Sequence, residues 1–244
     1  MNQLIRIVAA AGLSDVVYKG FLALCFVGWF LFNLASGKHY GIPVWKRIVI
    51  SVVIWPVAYG LLYFLFWIET TFTRWGHYNI VRGFVYFPLI ALLVAKALKL
   101  RPVTVIDYIA PGVSLCQGIA HIGCSFAGCC YGFEAEFGIW NPVFEKYMVP
   151  NQMLESIAAL GVFAVCAVYA KKHHYDSNGR VYPLFLILFG VTRFFLEFLR
   201  DNEKVIGSVS ILALHAAFMV VVGACWLAVL HWREKRVKQT VDNE

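Results

Sequence analysis

Long apolar runs without charged residues constrain the fold of this chain more than any other feature. Several of them extend for about 18 residues or more, enough for a helix to cross a hydrocarbon core about 30 Å thick. Composition agrees, because 61% of the 244 residues are hydrophobic and 14% are charged, whereas a soluble domain carries about 25% charged residues. The chain is therefore expected to be a membrane protein. Its net charge of +7 then indicates membrane topology and contact with anionic lipid rather than nucleic-acid binding.

The apolar runs predict an all-α integral membrane protein whose seven transmembrane helices form a single domain over residues 1–244. The predicted spans are Val16–Ala35, Ile48–Ile68, Ile80–Leu98, Val105–Ala127, Met153–Ala170, Val181–Leu199 and Val209–His231. An outer loop at about 131–150 and a basic cytoplasmic tail at 232–244 complete the predicted domain. Pro142 and Pro150 indicate that this loop ends where a helix starts at Gln152.

The distribution of Lys and Arg between the loops predicts the orientation of the chain. One side carries 13 basic residues, namely Lys38, Lys46, Arg47, Lys96, Lys99, Arg101, Lys171, Lys172, Arg180, Arg233, Lys235, Arg236 and Lys238. The other side carries five, namely Arg6, Arg74, Lys146, Arg200 and Lys204. The positive-inside rule then places the N-terminus outside and the C-terminus in the cytoplasm.

Several ionisable residues lie within or near the predicted spans, where a charge at the bilayer centre costs about 2.5–3.5 kcal/mol. In "TRFFLEFLR", Arg193 and Glu197 are separated by one helical turn, and Arg200 continues the same helix face. This pattern supports either a structural ion pair or an arginine ladder that binds the phosphate of a phospholipid through bidentate guanidinium contacts. Asp107 begins the fourth predicted span and is either a charge at a helix N-terminus or part of a site.

The segment "HIGCSFAGCCYG" brings His121 close in sequence to Cys124, Cys129 and Cys130. Its small residues could form a packing seam between helices, its His and Cys side chains could bind zinc, and its adjacent cysteines could be a redox pair. The H-x2-C-x4-C-C spacing matches no familiar structural zinc pattern. The residues alone leave these three interpretations open.

Four segments of the chain resemble the bacterial prolipoprotein diacylglyceryl transferases. "DYIAPGVSLCQGIAHIGCSFAGCCYG" is similar to the signature of that family, "VPNQMLE" and "TRFFLEFLRDNE" are similar to two further motifs, and "RGFVYFPLIALLVA" falls where the family has His-Gly-Gly-Leu-Ile-Gly. The matching residues are Asp107, Ala110, Pro111, Gly118, Gly123, Gly128, Gly132, Pro150, Gln152, Glu155, Arg193, Glu197 and Arg200. The resemblance runs from about Tyr18 to the last predicted span.

Some positions depart from the family pattern. Arg82 stands where the family has its essential histidine, and His121 stands where the signature has its arginine. Cys124 replaces an asparagine of the signature and Cys129 replaces a glutamate, whereas Cys130 aligns with a nonpolar position and is expected to be a bystander. An Arg–His pair survives, so phosphate binding and a titratable base are both retained.

The resemblance implies a membrane transferase that moves a diacylglyceryl group from phosphatidylglycerol to an acceptor, either a prolipoprotein cysteine or a small thiol. The implied catalytic residues are Arg82, His121 as the general base, and Cys129. The implied substrate-binding residues are Arg193, Arg200, Glu197, Gln152, Glu155, Asp107, Cys124 and Gly132. No metal, dissociable cofactor or nucleic-acid partner is implied, and the expected location is the bacterial cytoplasmic (inner) membrane.

Two other classes of function stay open at this level. The cysteine cluster could belong to a membrane thiol or zinc protein, which metal analysis would reveal. The same scaffold could also serve a non-catalytic lipid-binding or transport protein, which would bind labelled phosphatidylglycerol without turnover.

Overall fold

The computed structural model describes residues 1–72, 80–200, 204–207 and 209–241. Within these ranges the chain forms eight α-helices. They are α1 (Asn2–Ala10), α2 (Ser14–Ser36), α3 (Val44–Phe72), α4 (Ile80–Ala97), α5 (Pro102–Ala127), α6 (Asn151–Lys172), α7 (Val181–Glu197) and α8 (Ile211–Val241). Each of the seven apolar runs predicted from the sequence coincides with one of the helices α2 to α8, within a few residues at most ends.

Among the residues that the structure describes, five segments are helices long and apolar enough to cross a membrane by length and composition. They are Ser14–Ser36, Val44–Leu61, Pro102–Ala127, Asn151–Lys172 and Ile211–Val237. Helix α4 contains a shorter apolar segment, Tyr86–Ala97, and α7 has 17 residues. The expectation of a mainly helical membrane protein is thus confirmed, whereas the count of seven spans and the orientation stay predictions.

Three features of the connections were not predicted. The predicted outer loop contains the antiparallel strands β1 (Glu134–Asn141) and β2 (Lys146–Met148), and the link between α7 and α8 contains β3 (Lys204–Ile206) and β4 (Val209–Ser210). Helix α1 precedes the first predicted span. The predicted tail is not separate from the last span, because α8 continues as a helix to Val241.

Helix α5 lies at the centre of the bundle and packs against α2, α4, α6 and α7. In its most apolar window 78% of the residues are buried, compared with 11–33% for the other four membrane-length helices.

A small residue makes the contact of α5 with α6 possible, because a Cβ atom on Gly118 would lie 2.6 Å from Cγ of Leu160. Two hydroxyl groups join the same helices, from Ser114 to the carbonyl of Ala159 and from Ser156 to the carbonyl of Gly118, both at 2.7 Å. The first half of the signature therefore has a clear packing role.

The turn that follows α5 has an unusual backbone. Gly128 ends the helix in the left-handed region with φ +72°, and the Nδ2 group of Asn141 donates a hydrogen bond of 3.0 Å to its carbonyl. Cys130 also has a positive φ, +57°, which costs of order 1–3 kcal/mol for a residue other than glycine. The backbone therefore leaves the helical path before Cys130.

Candidate active site

The side chain of Glu155, on the first turns of α6, is the centre of a buried polar cluster. Its Oε1 atom accepts hydrogen bonds from Arg193 of α7, from Nε (3.1 Å) and Nη2 (2.7 Å) of Arg200, and from Nδ2 of Asn151 (3.1 Å). Glu155 is only 4% exposed. A buried carboxylate is costly unless it is paired and hydrogen-bonded, and these donors satisfy that requirement.

Arg193 joins this carboxylate to a second one. Its Nη2 atom lies 2.9 Å from Oε2 of Glu197, one turn further along α7, which is the ion pair that the sequence predicted. Ser210 donates a hydrogen bond of 2.9 Å to the other oxygen of Glu197. All of these side chains are buried, so Arg193 is held on both sides by carboxylates that are themselves fixed.

Arg200 lies just beyond the C-terminus of α7 and links the carboxylates to the cysteines. Besides its bonds to Glu155, its Nε is 3.9 Å from Oε2 of Glu197, and its charge interacts with Cys130. Burial alone would lower the pKa of Arg200, but attraction to Glu155 and to the Cys130 thiol raises it instead. The guanidinium group therefore stays charged beside the thiols.

His121, near the end of α5, faces Glu155 on one side and the thiols on the other. Its Nε2 atom lies 2.8 Å from Oε2 of Glu155, and its side chain is 14% exposed. Its Nδ1 atom is buried and has no hydrogen-bond partner among the described residues. The carboxylate of Glu155 thus orients the imidazole ring, and Nδ1 faces away from that carboxylate without a hydrogen bond among the described residues.

The thiols of Cys124 and Cys130 gather beside His121, with one ligand atom from each of the three residues within 4.8 Å of the others. Cys129 is adjacent, and its Sγ lies 4.0 Å from the carbonyl oxygen of Cys124. The neighbouring side chains of Cys124, Cys129 and His121 and the charge of Arg200 hold the pKa of Cys130 well below its usual value, although burial opposes this. The interaction with Cys124 lowers the pKa of Cys129 too, but the interaction with Cys130 and burial outweigh this and raise it to about 11. Cys130, expected from the sequence to be a bystander, thus has its thiol beside His121 and Cys124, and its role stays a prediction.

Two further predicted residues, Gln152 and Gly132, lie at the cluster. Gln152 is at the cluster, where its Nε2 group donates a hydrogen bond of 2.8 Å to the carbonyl of Cys129. Gly132 is a close-approach position beside it, since a Cβ atom there would lie 2.6 Å from the carbonyl oxygen of Leu199. Arg82 belongs to α4, but its side chain lies outside the described part of the structure.

Asp107 is not brought to this cluster. It precedes His121 by several turns on α5, and its carboxylate accepts backbone hydrogen bonds from Gly179 (2.8 Å) and Tyr182 (3.0 Å). These groups lie at the start of α7, at the other end of the bundle. The carboxylate therefore stabilises the N-terminus of α7, and a substrate-binding role for Asp107 is not retained.

The sequence reasoning missed two residues of the cluster, Asn151 and Ser210. Asn151 is fully buried and stands one helical turn before Glu155, so its i, i+4 spacing was a usable signal. Ser210 lies in the connection to α8, and nothing in its local sequence indicates a bond to Glu197.

A large apolar groove runs between α2 and α3, with a volume of about 870 Å³. It is lined by Phe26, Val27, Trp29, Phe30, Ser51, Val52, Trp55, Pro56, Tyr59, Gly60 and Tyr63. Tyr18, on α2, packs beside Gly123 of α5, since a Cβ atom on Gly123 would lie 3.3 Å from its Cδ2, and it interacts electrostatically with Cys124, Cys129, Cys130 and Tyr59. By contrast, the crevice directly between His121, Glu155 and Arg193 has a volume of about 10 Å³, which is room for about one water.

Comparison with known proteins identifies relatives of the chain. A phosphatidylglycerol–prolipoprotein diacylglyceryl transferase 2 of Clostridium perfringens is 36% identical over 116 residues, which cover 44% of this chain and 43% of that protein. A phosphatidylglycerol–prolipoprotein diacylglyceryl transferase of Clostridium tetani is 33% identical over 128 residues, covering 48% and 50%. The chain thus spans about half the length of these curated relatives. The sequence pattern of the prolipoprotein diacylglyceryl transferase family matches residues 21–229, and the chain belongs to that family.

Proposed function

We propose that this chain is a membrane transferase that moves the diacylglyceryl group of phosphatidylglycerol to the thiol of a prolipoprotein cysteine. In this reaction the acceptor thiol loses its proton and its sulfur forms a bond to the glycerol carbon that carries the phosphate. The carbon–oxygen bond to the phosphate breaks, and glycerol phosphate leaves. The observation that carries the proposal is the convergence of Arg193 and Arg200 on Glu155, at positions that match the family motifs.

The two arginines have different places in this proposal. Arg200 comes from the turn after α7, contacts Glu155 and interacts electrostatically with Cys130, so we assign it to bind the phosphate and to stabilise the charge on the leaving oxygen. Arg193 is deeper and is held by two carboxylates. It keeps Glu155 in position and adds positive charge behind Arg200.

The groove between α2 and α3 supports a lipid substrate. Its lining is almost entirely apolar and its volume of about 870 Å³ suits acyl chains. Tyr18 packs beside Gly123 of α5 and interacts electrostatically both with Tyr59 of the groove and with the cysteines, so we place the acyl chains in the groove and the headgroup toward Arg200. The narrow crevice beside Glu155 implies that the headgroup binds at the edge of the cluster rather than inside it.

The topology belongs to the same proposal. The chain crosses the bacterial cytoplasmic membrane seven times, with its N-terminus outside and its C-terminus in the cytoplasm, as the 13-to-5 distribution of loop basic residues indicates. The cluster of Glu155, Arg200 and the cysteines then lies at the outer leaflet. His121 and Cys129 stay proposed members of the reacting site, and Arg82 stays a prediction from the sequence.

Turnover by the purified chain tests the proposal. The full chain would be placed in phosphatidylglycerol vesicles with a peptide that contains one lipobox cysteine, and thioether-linked lipopeptide would be measured by mass spectrometry together with released glycerol phosphate. Both products should form in equal amounts. A peptide with serine in place of the cysteine, and vesicles of phosphatidylcholine alone, should give neither product.

The result that contradicts the proposal is a folded chain that binds phosphatidylglycerol and gives no product. That outcome would identify a lipid-binding protein on this scaffold. Product formation with a small thiol but not with the peptide would retain the transferase chemistry and exclude the prolipoprotein acceptor.

A further inference from the structure

We infer that His121, Cys124 and Cys130 form a binding site for a thiol-preferring metal ion, and that the ion is Zn²⁺. This inference goes beyond the proposed transferase function, and the site can exist whether or not the chain turns over lipid. It also departs from what the family resemblance implies, which is that these cysteines hold no metal. Three observations in the structure support the departure.

The first observation is distance. One ligand atom each from His121, Cys124 and Cys130 lies within 4.8 Å of the other two. Around a tetrahedral zinc ion, with bonds of about 2.1 Å to nitrogen and 2.3 Å to sulfur, neighbouring ligand atoms are about 3.5–3.8 Å apart. Small side-chain movements would therefore bring the three atoms to coordination distance.

The second observation is the orientation of His121. Its Nε2 atom meets Oε2 of Glu155 at 2.8 Å, while Nδ1 is buried and has no hydrogen-bond partner in the described ranges. Histidines that bind zinc through one nitrogen usually give the other N–H to a carboxylate, which fixes the tautomer and increases the basicity of the ligand. Glu155 occupies that position, so Nδ1 is the nitrogen that would bind the ion.

The third observation is the backbone at Cys130, whose φ is +57°. Gly128, two residues earlier, also has a positive φ, so the backbone leaves the helical path on both sides of Cys129. A left-handed residue is usually glycine or asparagine, and a cysteine there needs a reason. Coordination by its thiol supplies one, because this conformation brings the sulfur to Cys124 and His121.

Zinc fits this donor set, and the hard ions Mg²⁺ and Ca²⁺ do not. Two thiol groups and one imidazole are the ligands that Zn²⁺ prefers, whereas Mg²⁺ and Ca²⁺ prefer oxygen. Binding displaces the two thiol protons, and the two thiolates balance the charge of the ion. A Cys2His set leaves a fourth position open, as in catalytic zinc sites. A histidine that binds zinc through Nδ1 and meets Glu155 through Nε2 is a ligand and not the general base.

Metal analysis of the full chain tests the site. The protein would be purified in detergent without a metal-affinity step and without chelators, and its zinc content measured by elemental analysis. Wild-type protein should hold close to one zinc per chain. Cys124→Ser and Cys130→Ser should each lose most of it, whereas Cys225→Ser, which changes an exposed cysteine on α8, should retain it. Cys129→Ser should also retain it.

A second measurement uses only the wild-type chain, so it tests the metal site even if a cysteine variant fails to fold. Chelator-stripped protein would be titrated with Co²⁺, whose thiolate-to-metal charge-transfer absorption reports sulfur ligands. Saturation at one Co²⁺ per chain, with an intensity that corresponds to two thiolates, is expected, and added Zn²⁺ should abolish it. Well under one zinc per chain and no charge-transfer band would overturn the site. A disulfide within the cluster, seen as two missing thiols, would overturn it as well.

Discussion

His121 and Glu155 are joined across the interface of α5 and α6 by a contact of 2.8 Å between Nε2 and Oε2. Glu155 uses its other oxygen for Arg193 and Arg200. A single carboxylate therefore connects the guanidinium groups that are proposed to bind phosphate with the cluster that contains the cysteines. Changes at this one side chain should affect both parts of the site.

Glu155→Gln is expected to destabilise the protein strongly. The amide keeps the shape of the side chain but leaves two buried guanidinium groups without their shared negative charge, and breaking a buried ion pair on one side costs about 3–5 kcal/mol. Unfolding in mixed micelles would measure the loss. Glu134→Gln is the matched control, because its pair with Lys146 is well exposed and should contribute little. Equal stability of the two variants would contradict a structural role for Glu155.

Arg193→Ala is expected to lower turnover of phosphatidylglycerol by about 100-fold, because Glu155 loses the group that positions it and misplacement of a site costs on that order. Arg193→Lys should restore little activity, because an ammonium group cannot contact Glu155 and Glu197 through a planar fork. The control is Arg180→Ala, which removes a surface pair with Glu234. Initial rates would be normalised to the amount of folded protein. Wild-type rates for a folded Arg193→Ala would remove this arginine from the proposed site.

Gly118→Ala tests the close packing of α5 on α6. The added Cβ would lie 2.6 Å from Cγ of Leu160 and 3.3 Å from the backbone oxygen of Ser156, and such overpacking costs about 1–3 kcal/mol. Gly161→Ala, on α6, is the matched control because a Cβ there meets nothing within 4 Å. Thermal unfolding of both variants in one detergent gives the comparison. A Gly118→Ala variant as stable as Gly161→Ala would mean that the helices separate easily.

The orientation can be tested with reporter fusions. Fusions after Lys46, Arg101 and Arg180 should report the cytoplasm, because basic loops are retained on that side of the membrane. A fusion after Phe144, between β1 and β2, should report the external side. Consistent reversal of these signals would place the cluster at the inner leaflet and contradict an outer-leaflet lipid substrate.

The positions of the helices were predictable because hydrophobic length alone determines where a chain can cross a membrane. The ion pair between Arg193 and Glu197 was predictable for a similar reason, since a spacing of four residues places both on one face of a helix. Both predictions depend only on the number of residues along one helix.

The arrangement of the cluster depends on contacts between different helices, and the spacing of residues along the sequence does not predict these contacts. Glu155 meets Arg193 and Arg200 only because α6 packs beside α7, and Cys130 reaches His121 only because the backbone turns left-handed after α5. Asp107 shows the converse case. It belongs to the matched signature, yet the length of α5 carries it to the opposite end of the bundle, where it stabilises the start of α7.

The central position of α5 has a consequence for how the protein is made. With a mean hydropathy of 1.3 against 2.2 for α8, α5 carries its polar groups into the bundle rather than toward lipid. Asp107, Ser114 and Gln117 are all buried among neighbouring helices, and those neighbours include α6 and α7, which are synthesised later. During synthesis α5 must therefore remain beside the insertion machinery, or associate with α2, until its later partners arrive. A ribosome-bound chain that ends soon after Ala127 should enter the bilayer inefficiently, although its earlier helices do so readily.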